Sequence, residues 1–193
     1  MNICVFGASS DQLAEEYYTA AEKLGRLIGE NGDTLIFGAG RDGLMGKCAE
    51  GAAGAGGHVI GIAPAFFDEP GILYKDSGEL LLTGTMDERK RLMDEKSDAF
   101  VALPGGLGTF DELFGCLTLK QLGRHAKPVV LLNTLGYFDA LSALIKHSVE
   151  KKFAGKDTLS LFALCDTPEQ VMEYIAHYIP VTGSTKRICE YCR

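Results

Sequence analysis

The chain has 193 residues, 46% of them hydrophobic, enough for one globular domain with a sizeable core and too apolar for a disordered segment. A net charge of −7 and a pI near 5.1 speak against a general nucleic-acid or membrane-surface binder, which needs a basic face for phosphates. No apolar run approaches the roughly 20 residues that span a bilayer, and the opening "MNICVFGASS" lacks a basic region followed by a long apolar core, so a cytoplasmic protein is expected.

The first element is the apolar run "NICVFG", a buried strand ending at Gly7. Ser9 and Ser10 then precede a helical pattern over residues 11–30, which places hydroxyls beside free backbone N–H groups. They suit either a serine helix cap or contacts to a substrate. A second strand, "DTLIFG", leads through "GAGRDGLMG" to a helix expected over residues 44–55. Gly38, Gly40 and Gly43 formally match G-x-G-x-x-G, but a dinucleotide site also wants an acid at the end of the following strand, and "HVIGIAPA" has none. This turn therefore reads as the wall of a pocket for a different nucleotide, with Gly40 among its contacts.

After that third strand comes a long connection, "APAFFDEPGILYKDSG", with room to cover a site. The fourth strand, "ELLLTG", runs into a helix over residues 86–95 in which Arg89, Lys90 and Arg91 alternate with Asp87, Glu88, Asp94 and Glu95. Most such charges form a solvated helix face. If the fourth and fifth strands are neighbours, however, this helix starts at the same pocket as the next turn, and Arg89 or Lys90 meets a bound anion there.

That next turn follows the fifth strand and reads "PGGLGTFDE", Pro104 to Glu112. Gly105, Gly106 and Gly108 let successive N–H groups point one way at the start of a helix, an arrangement that suits a phosphate. Thr109 either caps that helix or gives its hydroxyl to the phosphate. In the capping reading, "TFDE" is a box in which Glu112 reaches back to the first free N–H. In the functional reading Glu112 is a second anion near a helix N-terminus, with its pKa held low, better suited to stabilising positive charge or activating water than to donating a proton.

A sixth strand, "KPVVLLN", lies between helices expected over residues 109–123 and 137–151, and "DTPEQV" opens a last helix over residues 167–177 with a capping residue, a proline and an acid. Strands apolar throughout, alternating with helices, predict a doubly wound, mostly parallel, Rossmann-like α/β sheet with helices on both faces. Residues 1–179 form this single domain and 180–193 a tail. The histidines are scattered, and Cys189 and Cys192 make a lone C-x-x-C without the second pair a structural zinc needs. No metal and no cofactor are expected, and the other four cysteines read as reduced, buried thiols.

"PGGLGTFDE" resembles the P-G-G-x-G-T-x-x-E signature of the Lonely Guy family of phosphoribohydrolases, long labelled lysine decarboxylases, and "GLMG" at 43–46 and "RK" at 89–90 fall where that family has them. The resemblance covers residues 1–177. It implies hydrolysis of the N-glycosidic bond of a nucleoside 5'-monophosphate, a cytokinin nucleotide or AMP, to free base and ribose 5-phosphate. It further implies Arg89 and Glu112 as the catalytic pair, a phosphate loop of Gly105, Gly106, Gly108 and Thr109, Met86 and Lys90 lining the nucleotide pocket, and a homodimer with sites near its interface. Two positions depart from the family: Asp87 stands where it often has histidine, and Ala39 replaces a glycine of its G-G-G turn.

The residues are consistent with that reaction on their own terms. Cleaving a ribosyl C–N bond builds oxocarbenium-like charge that a fixed carboxylate stabilises. Arg89 can hold Glu112, contact the ribose or phosphate, or assist the departing base. No lysine is marked for a pyridoxal Schiff base. A non-catalytic nucleotide carrier or sensor on the same fold is the alternative expectation, and an NAD-dependent oxidoreductase binding at Gly38 to Gly43 a third.

Overall fold

The computed structural model describes residues 1–74 and 78–181, so the cysteine pair of the expected tail lies outside the described residues. Seven parallel strands form one sheet: β1 (Asn2–Phe6), β2 (Thr34–Phe37), β3 (His58–Pro64), β4 (Glu79–Thr83), β5 (Ala99–Ala102), β6 (Val129–Leu132) and β7 (Ala163–Cys165), in spatial order β4-β3-β2-β1-β5-β6-β7. Among the described residues five α-helices connect strands, α1 (Glu15–Glu30), α2 (Gly43–Gly54), α3 (Met86–Lys96), α4 (Leu107–Gln121) and α5 (Asp139–Glu150), and α6 (Pro168–Ala176) follows β7.

Side chains alternate across the pleat and fill two separate cores. Ile3, Val5, Leu35 and Phe37 pack beneath α1, α2 and α6, with Leu24, Ile28, Leu44, Cys48 and Val171. Cys4, Phe6, Ile36 and Phe100 face α3 and α4 on the other side, with Met93, Leu113 and Leu117. Burial on both faces is why the strands read as unbroken apolar runs. All four described cysteines are free and buried.

Three expectations need correction. The sheet has a seventh strand, β7, short and only partly buried, that the apolar-run signal missed. β4 is at the sheet edge, paired with β3 and remote from β5. Helix α1 starts at Glu15, so Ser9 and Ser10 lie in an extended turn instead of capping it; the N-cap is Ala14. The last helix behaves as expected: Thr167 accepts from the Gln170 N–H at 3.3 Å, the Gln170 side chain accepts from the Thr167 N–H, and Pro168 takes the first turn.

Strand order reverses at β1, whose neighbours are β2 on one side and β5 on the other. In an open parallel sheet this switch point leaves a crevice outside the carboxyl ends of the strands. The turns after β1, β2 and β5 meet there.

Candidate functional site

Ala8 ties the three turns together. Its N–H donates to the carbonyl of Pro104 at 3.0 Å, after β5, and its own carbonyl accepts from the Leu44 N–H at 2.9 Å, at the start of α2. Gly43 permits the second contact: it has φ +68°, and a Cβ there would run into the Ala8 carbonyl. The long connection after β3 closes the top, because the Arg41 N–H donates to Ile72 at 3.0 Å and the Tyr74 N–H to Ala39 at 2.9 Å. Ala39 itself is buried with φ 59°, a left-handed conformation disfavoured for a residue with a Cβ.

Beneath that cover lies a cavity of about 700 Å³, walled by Ser9, Gly40, Met86, Arg89, Gly106, Gly108, Thr109 and Glu112, with Phe67, Ile72 and Leu73 from the connection. The glycine-rich turn forms its floor. Helix α4 begins at Leu107 with Gly106 as N-cap and no side-chain cap. No acceptor among the described residues takes the N–H groups of Gly106, Leu107, Gly108 or Thr109, and a Cβ on Gly106 or Gly108 would meet nothing within 4 Å. The floor is thus a set of free donors at a helix N-terminus with open space above, an anion cradle by construction. Gly105 serves a different purpose: a Cβ there would overlap the Thr109 hydroxyl.

Arg89 and Glu112 meet at the back of the cavity. Arg89 Nη1 donates to Glu112 Oε1 at 2.6 Å, and its Nε donates to the Ile62 carbonyl at the end of β3, at 3.0 Å. Their side chains are 7% and 10% exposed, so the pair works in a low-dielectric setting. The arginine reaches this point although β4 is an edge strand, because α3 packs back across β3. Thr85 caps that helix, accepting from the Glu88 N–H at 3.1 Å, while Glu88 accepts from the Gly84 N–H at 2.8 Å. The guanidinium passes over Gly38, where any Cβ would collide with it. Gly38 is glycine to admit Arg89, so its place in the formal G-x-G-x-x-G match requires no dinucleotide.

Neither the capping box of the one reading of Glu112 nor the lowered pKa of the other holds. The residue does not close a capping box, since Thr109 falls inside the first turn of α4 and Glu112 a turn further on. Its carboxyl is also not held low: burial pushes it above the usual glutamate range, with the Arg89 guanidinium opposing that shift. The helix dipole is felt mainly in the first turn, and Glu112 lies beyond it.

The other expected residues divide. Ser9, Gly40 and Met86 line the cavity with the pair. Ser10 lies behind the glycine turn, on a smaller cavity of about 260 Å³, and its hydroxyl accepts from the Gln12 N–H at 3.3 Å. Lys90 points to the far side of α3, where its ammonium donates to Asp111 at 3.0 Å and borders an apolar groove of about 660 Å³ with Phe110 and Phe114. Among the described residues no three His, Cys, Asp or Glu side chains are placed to share a metal ion. Sequence reasoning missed Tyr137, in the turn after β6, whose hydroxyl donates to the Gly105 carbonyl at 2.5 Å. Its place just past a strand's carboxyl end was the available signal.

A family model described as "Possible lysine decarboxylase" matches residues 45–175. The chain is 36% identical over 178 residues to a cytokinin riboside 5'-monophosphate phosphoribohydrolase of Arabidopsis thaliana, an alignment covering 92% of this chain and 84% of that one. It is 35% identical over 178 residues to a protein of the same description from Oryza sativa, covering 92% and 74%. Among solved structures, a molybdenum cofactor binding protein from Rippkaea orientalis superposes with TM-score 0.70 at 26% identity, over 91% of this chain and 94% of that one. The molybdenum cofactor carrier protein of Chlamydomonas reinhardtii, 24% identical with TM-score 0.70 over 91% and 95%, shares the fold.

Proposed function

We propose, from the premise that the chain belongs to the Lonely Guy family of cytokinin riboside 5'-monophosphate phosphoribohydrolases, that it hydrolyses the N-glycosidic bond of a nucleoside 5'-monophosphate, a cytokinin riboside 5'-monophosphate or AMP. The products are free base and ribose 5-phosphate. The observation that carries this reading is one buried carboxylate, Glu112, in the same cavity as a cradle of free amides. The 5'-phosphate sits on the N–H groups of Gly106 to Thr109, with the Thr109 hydroxyl as a further donor, and this anchors the sugar across the cavity.

Glu112 then faces the ribose. Its Oε1 is held by Arg89, and Oε2 accepts from no described residue. As the C1'–N bond breaks, positive charge grows on the sugar, and a fixed carboxylate in a dry site stabilises it strongly. Water completes the reaction by forming the C1'–O bond; its proton is taken by Glu112 and returned to the base, which leaves with the bonding electron pair. The raised pKa of Glu112 makes it a better acceptor for the water's proton than a solvated glutamate would be. Arg89, pinned by Ile62, keeps the carboxylate aimed and ionised. Ser9, Gly40 and Met86 shape the rest of the pocket.

Both the family model's description and the fold's relatives leave room for other roles, and the cavity decides among them. None of the described residues lining it is a lysine, so a pyridoxal-type decarboxylase has no Schiff-base partner among them. A carrier or sensor needs the cradle but has no use for a buried, arginine-held carboxylate beside it. Two copies pair through the α4 face, where Leu107 is 87% and Phe114 43% exposed next to the groove that Glu112 also touches, so each site borders the interface. The cytoplasm suits the free thiols, and no helix among the described residues is long and apolar enough to cross a membrane. The direct test is chromatography of reaction mixtures from a panel of nucleoside monophosphates. Base release from AMP or an N6-substituted AMP is expected; no release across the panel contradicts the proposal.

A further inference from the structure

We propose that Tyr137 is a positioning residue for the anion cradle: its hydroxyl fixes the Gly105–Gly106 peptide so that the Gly106 N–H is presented to the phosphate. This rests on the phosphate reading of the glycine turn given above. Three successive carbonyls of that turn are each held by a separate partner. Pro104 accepts from the Ala8 N–H at 3.0 Å and Gly106 from the Phe110 N–H at 3.0 Å. Between them, Gly105 accepts, among the described residues, only from the Tyr137 hydroxyl, at 2.5 Å.

A trans peptide is planar, with its C=O and N–H pointing opposite ways. Holding the Gly105 oxygen on the Tyr137 side therefore turns the Gly106 N–H the other way, toward the large cavity that Gly106 lines. Without that hydroxyl, this is the peptide most free to rotate, because glycine on both sides leaves no Cβ to resist a flip. A flipped peptide would aim a carbonyl oxygen at the phosphate in place of a donor. One hydroxyl thus decides the polarity of the cradle at this point.

Tyr137 is itself rigidly placed. Asn133, at the end of β6, accepts from the Phe138 N–H at 2.8 Å and donates to Asp139 at 3.0 Å and Asp166 at 3.2 Å. The turn between them passes through Leu135 and Gly136, both with positive φ, and the Tyr137 ring packs edge-on against Phe138, with centroids 5.0 Å apart; the Tyr17 ring meets it only at 6.3 Å and is not needed to hold it. Tyr137 lines the small cavity behind the loop and not the large one, so it acts on a ligand only through Gly105.

The experiment compares wild type, Tyr137→Phe and Tyr17→Leu by calorimetric titration with ribose 5-phosphate, by steady-state kinetics with AMP, and by thermal melting. Tyr137→Phe keeps the ring and loses only the hydroxyl. It should bind ribose 5-phosphate roughly tenfold more weakly and raise KM for AMP by a similar factor, with kcat within about twofold and a melting temperature lowered by only a few degrees, the cost of leaving the buried Gly105 carbonyl without its donor. Tyr17→Leu, which removes a ring contact but no hydrogen bond to the loop, should bind as wild type does. Wild-type affinity in Tyr137→Phe, a loss confined to kcat, or equal weakening in Tyr17→Leu overturns the inference while leaving the proposed reaction standing. A wild-type protein that binds no ribose 5-phosphate overturns the phosphate reading, and this inference with it.

Discussion

In the proposed reaction Glu112 concentrates the chemistry into one side chain, and its environment sets a testable pH dependence. Burial raises its pKa, Arg89 opposes that shift, and neighbouring Asp111 adds to it. The working form is ionised, so activity falls as pH drops through a value above the ordinary glutamate pKa of about 4.3. The acid limb of kcat/KM against pH should sit above that range. Asp111→Asn, which removes a like charge, should move it toward lower pH; a limb at or below the ordinary range contradicts this account. For folding the sign is the converse. A carboxyl raised in the folded state favours the fold while protonated, a contribution fully present below about pH 4.3 and lost as pH rises through the raised value. That Arg89 and Glu112 could meet at one pocket was legible from their motifs, but their ionisation was not. The sequence places Glu112 near a helix start, whereas burial depends on what α3 and β3 lay over it. Tyr137 was illegible for a related reason: it lies 32 residues from the carbonyl it holds.

At the level of elements, the same local pattern has two outcomes. "TMDE" at 85–88 builds a capped helix start, with Thr85 as N-cap and Glu88 folded back on Gly84. "TFDE" at 109–112 does not, because α4 has already begun at Leu107. The free glycine turn before it draws the helix N-terminus back toward the cavity, which leaves Thr109 a buried donor and moves Glu112 into the second turn. Short-range pattern cannot separate these cases, since the difference lies in whether the preceding residues are held by a third element. The turn after β2 carries a sharper consequence. Gly38→Ala puts a methyl group where the Arg89 guanidinium lies, with backbone on one side and the Ile62 contact on the other. Overpacking of this kind costs about 1–3 kcal/mol. We expect a lower melting temperature together with a kcat loss of roughly tenfold or more, as Arg89 shifts off Glu112. Wild-type kcat in this variant contradicts the positioning of the pair.

On the scale of the whole molecule, doubly wound topology was readable because both faces of the sheet are covered and the strands are apolar throughout. Strand order was not. The condition on which Arg89 was placed at the pocket, that the fourth and fifth strands adjoin, is not met, yet Arg89 still reaches the glycine turn, because a helix packed across β3 spans the gap an edge strand creates. β7 escaped notice as three residues of which only Cys165 is buried. The apolar α4 face has a consequence for assembly: Phe114→Asp, outside the large cavity, should shift the protein from dimer to monomer in analytical ultracentrifugation. A wild-type monomer, or a variant that stays dimeric, argues against that interface. What the fold accomplishes is to bring the turns after β1, β2 and β5 around one cavity, with amides on its floor and an arginine-held carboxylate at its back. The most direct test is a crystal structure of Glu112→Gln with a nucleoside 5'-monophosphate bound. Phosphate oxygens within hydrogen-bond distance of the Gly106 to Thr109 amides, with the ribose C1' facing residue 112, is the result this account predicts. A phosphate seated elsewhere, or a sugar turned away from that side chain, would contradict it.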